Sequence, residues 1–259
     1  MTGIMAEHLP VRPREPRRLN SGVIRKGPGK ARHLDRELLR SDDKDWSRSD
    51  PWRVLRIQTE FVEGFEALED LGPAVSLFGS ARTTPDDPMF QAAHDIGRTL
   101  AKRGVAVITG AGPGVMEAAN RGADEAGGVS VGLGIELPFE ESMNESVNLG
   151  IMFRYFFARK VMFLKYAQGF ICLPGGFGTF DELFETLTLI QTGTVENFPL
   201  VLFGSGFWAG QLDWLRGTML ERGYISSGDL DYITLTDSVD EAVAAACARI
   251  TACPPITEE

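Results

Sequence analysis

The chain is predicted to be an α/β protein built on one doubly wound parallel sheet. Three observations carry that expectation. From Ala74 onward, short apolar runs of strand length alternate with stretches of helix length. Several runs end in glycine-rich turns, at Gly79-Ser80, at Gly110-Ala111-Gly112-Pro113-Gly114 and at Gly175-Gly176-Phe177-Gly178. A length of 259 residues at 43% apolar content suffices for one sizeable core, so a single domain is expected. Strands alternating with helices imply right-handed βαβ units, and hence a Rossmann-like sheet.

The elements follow in order. Residues 1–50 carry twelve Lys/Arg against eight Asp/Glu, a balance of +4, which leaves −14 for the remainder of a chain whose total is −10. With several prolines and no apolar periodicity, this segment reads as a mobile basic arm, because such composition cannot offset its ordering entropy. Residues 51–70 read as an accessory helix, with Val54, Ile57, Phe61, Phe65 and Leu68 forming an apolar stripe and no chemistry evident on it. The domain proper, 71–259, is expected to hold strands at 74–79, 105–110, 129–135, 169–173, 199–204 and 233–236. Helices are expected at 88–103, from the Gly110 turn to about 126, at 151–167, from the Gly175 turn to about 191, and at 238–250. In such sheets ligands bind outside the carboxyl ends of the strands. Gly79, Ser80, Gly110, Gly112, Gly114 and the Gly175 turn all fall there, so three turns are expected to converge on one crevice.

Composition removes several classes of function. A net charge of −10 argues against general nucleic-acid binding. The three cysteines form no CxxC pair, so no metal site is expected and a reducing cytoplasm fits; Cys172 lies in an apolar run and reads as a core residue. No apolar run reaches membrane-spanning length, and the first residues lack the apolar segment of a secretory signal, so no membrane association is expected.

The stretch that organises the chain is the apolar run Gly169 to Leu173, followed by Pro174-Gly175-Gly176-Phe177-Gly178-Thr179-Phe180-Asp181-Glu182. Three glycines within four residues free the backbone to curl its N–H groups towards one anion, and the helix that opens there adds about half a positive charge. This is a phosphate cradle, though not a P-loop, since no lysine follows the last glycine. A plainer reading stands beside it, because Thr179 and Glu182 have the spacing of a capping box, which needs no ligand. The Gly110 turn does not fit the dinucleotide fingerprint. Its sixth position is Val115, and Ser130 to Gly134 offers no acidic residue for a ribose.

Two charged residues complete the candidate site. On a helix spanning 151–167, Arg154 and Lys165 share one face. Arg159 falls among Met152, Tyr155, Met162, Phe163 and Tyr166, a charge centred on an apolar stripe. Burying a guanidinium there is costly unless a carboxylate or phosphate meets it; a structural ion pair or a snorkelling side chain is the alternative. Glu182 is expected in the first turn after the cradle, on a face apart from Leu183, Leu187 and Ile190 and turned to the crevice. A neighbouring arginine is expected to keep it ionised at neutral pH. A carboxylate so placed can hold an oxocarbenium-like transition state or act on water and a leaving base.

With Pro-Gly-Gly-Phe-Gly-Thr-Phe-Asp-Glu at 174–182 and Arg159-Lys160 upstream, the sequence resembles the Lonely Guy family of cytokinin-activating phosphoribohydrolases, long mislabelled as lysine decarboxylases. The family pattern has Glu where this chain has Asp181. Plant-like members have Met-His where Phe156 and Phe157 stand, and the extra arm and helix resemble the longer bacterial branch. The resemblance implies that Arg159 and Glu182 are catalytic, and that Gly175, Gly176, Gly178 and Thr179 hold a 5′-phosphate. It further implies that Gly79, Ser80, Gly110, Gly112 and Gly114 flank the nucleotide. The implied reaction cleaves the N-glycosidic bond of AMP or N6-prenyl-AMP, giving free base and ribose 5-phosphate. No metal or organic cofactor is implied, and homodimers or larger homo-oligomers are. Phe156, Phe157 or Met116 would supply an apolar wall for the prenyl group, or simply pack. A broader nucleoside-monophosphate nucleosidase and a non-catalytic nucleotide-binding module remain the alternatives. A decarboxylase would need a Schiff-base lysine, and Lys160 lies about 100° round the helix from Arg159.

Overall fold

A computed structural model describes residues 46–136, 143–196 and 198–250. The basic arm assigned to residues 1–50 lies almost wholly outside them. Helix α1 (Trp46–Leu68) comes first, and the sheet follows with β1 (Ala74–Phe78), α2 (Pro88–Lys102), β2 (Ala106–Thr109), α3 (Val115–Glu125), β3 (Ser130–Ile135) and β4 (Leu149–Phe153). The second half holds α4 (Phe156–Tyr166), β5 (Phe170–Cys172), α5 (Phe177–Gln191), β6 (Leu200–Phe203), α6 (Ser205–Trp214), β7 (Ile233–Thr236) and α7 (Val239–Ala246).

The seven strands form one sheet in the order β4-β3-β2-β1-β5-β6-β7, every neighbouring pair parallel. The predicted doubly wound parallel architecture is therefore the observed one. Strand residues alternate between two cores, as a two-residue period requires. Phe78, Phe170, Cys172, Leu200 and Leu202 face α1, α4, α5 and α6, against Leu68, Met162, Phe163, Leu183 and Trp208. Val75, Leu77, Ile171, Leu173, Val201 and Phe203 face α2, α3 and α7, against Ile96, Leu100, Ala119 and Val243. Full burial of each large side chain, such as Phe163, Phe170 or Leu100, contributes about 2–3 kcal/mol. Cys172 is wholly buried in the first core, as its apolar setting predicts.

Local signals start the helices where the sequence places them. The Asp87 carboxylate accepts from the Met89 N–H at 2.8 Å with Pro88 at the first helical position, and the Ser238 hydroxyl accepts from the Glu241 N–H. One boundary differs from expectation. Residues 149–153 form the edge strand β4, paired with β3, and the helix expected from 151 begins at Phe156. Arg154 therefore precedes the helix, and its pairing with Lys165 on one helical face does not arise. Helix α6 also went unforeseen.

The order of strands places β1 beside both β2 and β5. The chain runs outwards from β1 to β4, then returns across β1 to begin its second half at β5. The crevice of a doubly wound sheet opens at that reversal.

Candidate functional site

Three turns meet at the carboxyl ends of β1, β2 and β5, joined by backbone hydrogen bonds. The Ser80 N–H donates to the Pro174 carbonyl at 3.0 Å, and the Val115 N–H donates to the Ser80 carbonyl at 3.1 Å. Ser80 is thus the pivot between the Gly110 turn and the Gly175 turn. Close approach explains the glycines. A β-carbon on Gly79 would stand 2.5 Å from a Val115 methyl, and one on Gly114, at a φ of +68°, would stand 2.5 Å from the Ser80 carbonyl oxygen. A β-carbon on Gly175 would strike the Thr179 hydroxyl.

Helix α5 opens without a side-chain cap: Gly176 is its N-cap, and the first helical bond runs from the Phe180 N–H to the Gly176 carbonyl. The capping box read from Thr179 and Glu182 does not form, because the helix begins two residues before Thr179. The N–H groups of residues 177–179 precede the first helical bond and stand at the positive end of the dipole. Among the described residues, nothing lies within 4 Å of a β-carbon placed on Gly176 or Gly178, so the turn is open there. Thr179 is buried behind it, and Phe177, between the glycines, is 96% exposed.

Glu182 lies in the second turn of α5, on its buried face with Thr179, Leu183 and Thr186, rather than in the first turn on a face apart. It is only 4% exposed, and its Oε2 has no hydrogen-bond partner among the described residues. Burial pushes its pKa up to about 7, against the lowering charges of Lys160 and Arg159. The expectation that a nearby arginine would keep it fully ionised is therefore corrected: desolvation outweighs the cations.

Arg159 comes from the first turns of α4 and is half-buried, its guanidinium over the rings of Phe156 (5.0 Å) and Phe163 (5.6 Å). A β-carbon on Gly110 would be 3.8 Å from its Nη1 and 2.9 Å from the Met116 sulfur, so guanidinium and Met116 both border that turn. Arg159, Glu182 and the Gly110 and Gly175 turns are accordingly gathered in one region. Lys160 ties the two helices together, its Nζ 2.9 Å from Asp181 and 3.0 Å from Glu185. Burial alone would lower its pKa, but hydrogen bonds to those carboxylates raise it on balance. An ammonium so held is unsuited to forming a Schiff base.

The sequence reading missed the groups that hold the Gly110 turn. Ala111 sits at a φ of +66°, rare for a residue with a β-carbon. Its N–H donates to the Thr109 hydroxyl at 3.0 Å; that hydroxyl donates to the buried Asn120 Oδ1 at 2.6 Å, which also accepts from the Asn144 amide. Asn144 donates to the Gly112 carbonyl as well. A single asparagine among the alanines of α3 was the available signal. Among the described residues, no group of three or more His, Cys, Asp or Glu is arranged to hold a metal ion, and no helix is long and apolar enough to cross a membrane.

Comparison with known proteins bears on the family and the fold. The family model described as "Possible lysine decarboxylase" matches residues 116–246, just over half of the chain. A Mycobacterium tuberculosis protein named cytokinin riboside 5′-monophosphate phosphoribohydrolase is 31% identical over 160 residues, covering 61% of this chain and 84% of that protein. A probable enzyme of the same name from Oryza sativa is 30% identical over 158 residues, covering 60% and 68%. Among solved structures, the structural-genomics target TM1055 is similar at 27% identity and a TM-score of 0.52, over 66% of this chain and 96% of that one. A molybdenum cofactor binding protein from Rippkaea orientalis shares the fold, at 21% identity and a TM-score of 0.53, over 70% and 98%. The matched segment contains the Arg159-Lys160 pair and the whole Gly175 cradle, and on these grounds the chain belongs to the Lonely Guy family.

Proposed function

We propose that this protein is a phosphoribohydrolase that cleaves the N-glycosidic bond of adenosine 5′-monophosphate, N6-modified forms included, to free base and ribose 5-phosphate. The observation that carries the reading is a buried carboxylate with an unpartnered oxygen, within electrostatic reach of Arg159 and one helical turn behind an uncapped, glycine-lined helix start. The N–H groups of residues 175–179 receive the 5′-phosphate, with the Gly79-Ser80 and Gly110–Gly114 turns beside the nucleotide. Glu182, near neutrality in its pKa, stabilises positive charge developing on the ribosyl carbon and takes a proton from the attacking water. The water oxygen bonds to C1′ as the C1′–N bond breaks, and that bond's electron pair leaves with the base, which is then protonated. Arg159 holds negative charge on the substrate in a place where water screens it little.

The names of the relatives support cytokinin ribotides as substrates, and Met116 beside the Gly110 turn supports an apolar wall for an N6-prenyl group. Phe156, Phe157, Val161 and Phe177 are exposed around the site, which supports a homodimer that covers them. The cytoplasm is the compartment we assign, where three cysteines stay reduced. The test is chromatography of products from AMP and N6-isopentenyl-AMP. Base and ribose 5-phosphate are expected from the wild type, and losses of about 10²–10⁴-fold from Arg159→Ala and Glu182→Ala, both still folded. Tight binding without turnover of any ribotide would replace this reading with a nucleotide-binding module. Equal turnover of purine and pyrimidine ribotides would replace it with a broad nucleosidase.

A further inference from the structure

Helix α1 carries a carboxylate where its sequence suggests only an apolar stripe. The face turned inwards holds Arg53, Glu60, Gly64 and Leu68, while Val54 and Phe65 of the expected stripe are exposed. Glu60 is 4% exposed and reaches across to the start of α4. It accepts from the backbone N–H of Arg154 at 3.0 Å and from that of Tyr155 at 3.2 Å. No local side chain caps α4 through its N-cap Tyr155, so Glu60 serves there from 95 residues away. The Tyr155 carbonyl, in turn, accepts from the Arg159 N–H at 3.3 Å. Glu60 and the arginine of the site are thus joined through one residue's two backbone hydrogen bonds. Two further contacts fix α1 against α4. The Tyr166 hydroxyl donates to the Phe65 carbonyl at 3.1 Å, and Gly64 lies against Met162 so closely that a β-carbon would stand 2.7 Å from its terminal methyl.

We propose that Glu60 is a positioning residue, which fixes the first turn of α4 and thereby the place of the Arg159 guanidinium in the crevice. The proposal rests on the phosphoribohydrolase reading only for its kinetic readout. Around the Glu60 carboxyl stand Arg154, its Nε 3.8 Å away, and Glu136 at the end of β3, while Arg53 lies about two turns earlier on the same buried face of α1. Burial raises the Glu60 pKa to about 7, with the two backbone N–H groups and Arg154 opposing and Glu136 assisting. The ionised form is the one that accepts both N–H groups, so the grip on α4 weakens as pH falls through that value.

The test compares full-length wild type, Glu60→Gln and Glu60→Asp, the second keeping the charge should the first fail to fold. Folded Glu60→Gln is expected to lose at least about tenfold in kcat/KM, since small misplacements of a charge-holding group cost that much or more. The acid limb of the wild-type profile is expected to be steeper than one proton, because both Glu182 and Glu60 must be ionised, and to become a one-proton limb in Glu60→Gln. Hydrogen exchange at the Arg159 amide, which needs no substrate, is expected to quicken at least about tenfold in Glu60→Gln and less in Glu60→Asp. Unchanged kcat/KM with the steep limb retained overturns the proposal. So does unchanged exchange at that amide, even if the wild type turns over no ribotide and the hydrolase reading itself has failed.

Discussion

At the scale of the residue, the decisive balance is between burial and charge at Glu182. Lys160 and Arg159 each favour the carboxylate, yet desolvation wins and holds the group near pH 7. Such a group can exchange a proton at working pH, as a fully ionised one could not. It is also a burden on the fold. A carboxyl whose folded pKa lies above its unfolded value binds more protons when folded. Its penalty is absent below about pH 4.5, grows as pH rises through the folded value near 7, and is complete above it. Glu182→Gln, which keeps the shape without the charge, is therefore expected to melt higher than wild type at pH 8, by up to a few kcal/mol in stability. The two midpoints are expected to converge below about pH 4.5. Thermal scans across that range check it, and a variant less stable than wild type at pH 8 would show that the cations, not burial, govern this site.

At the scale of the element, close approach between helices is set by glycines. A β-carbon on Gly97 of α2 would strike the Ala119 carbonyl of α3, and one on Gly122 of α3 would strike the His94 carbonyl of α2. Helix propensity favours alanine over glycine by about 1 kcal/mol, but a clash with backbone cannot be relieved by turning a side chain. Gly122→Ala is expected to lose about 2 kcal/mol or more by denaturant unfolding, whereas Gly210→Ala, in α6 with open space around it, is expected to gain up to about 1 kcal/mol. This pairing was not legible in the sequence, because a glycine in a helix shows a cost without showing the neighbour that demands it. What could be read was what local pattern decides: six strands as apolar runs bounded by turns, and three glycine turns at their carboxyl ends. β4 was lost because Leu149–Phe153 runs into α4 with no turn residue between them and forms a strand only by pairing with β3. Glu60 was hidden for the same kind of reason. Its partners are backbone N–H groups far along the chain, and nothing in an acidic residue on a helix announces them.

At the scale of the whole molecule, the proposed function asks the site to draw an anion into a body of like charge. The net charge of −10 comprises +4 over residues 1–50 and −14 over the remainder. Attraction therefore has to be local: the dipole of α5, the N–H groups before its first helical bond, and the Arg159 guanidinium. At physiological ionic strength the Debye length is about 8 Å, so distant carboxylates are screened while these contacts are not. Local capture of this kind links binding to stability. Ribose 5-phosphate at about a hundred times its Kd is expected to stabilise the fold by about 2.7 kcal/mol. For a domain of this size that is a rise of roughly 5–10 °C in Tm. In Arg159→Ala the rise is expected to shrink, because a charge is lost from the site. Gly178→Val, which places a branched side chain in the open turn, is expected to abolish it while unfolding at the wild-type temperature without ligand. Scanning all three with and without ribose 5-phosphate checks this. An equal rise in all three would mean that the anion binds elsewhere on the molecule and that the glycine turn after β5 is no cradle.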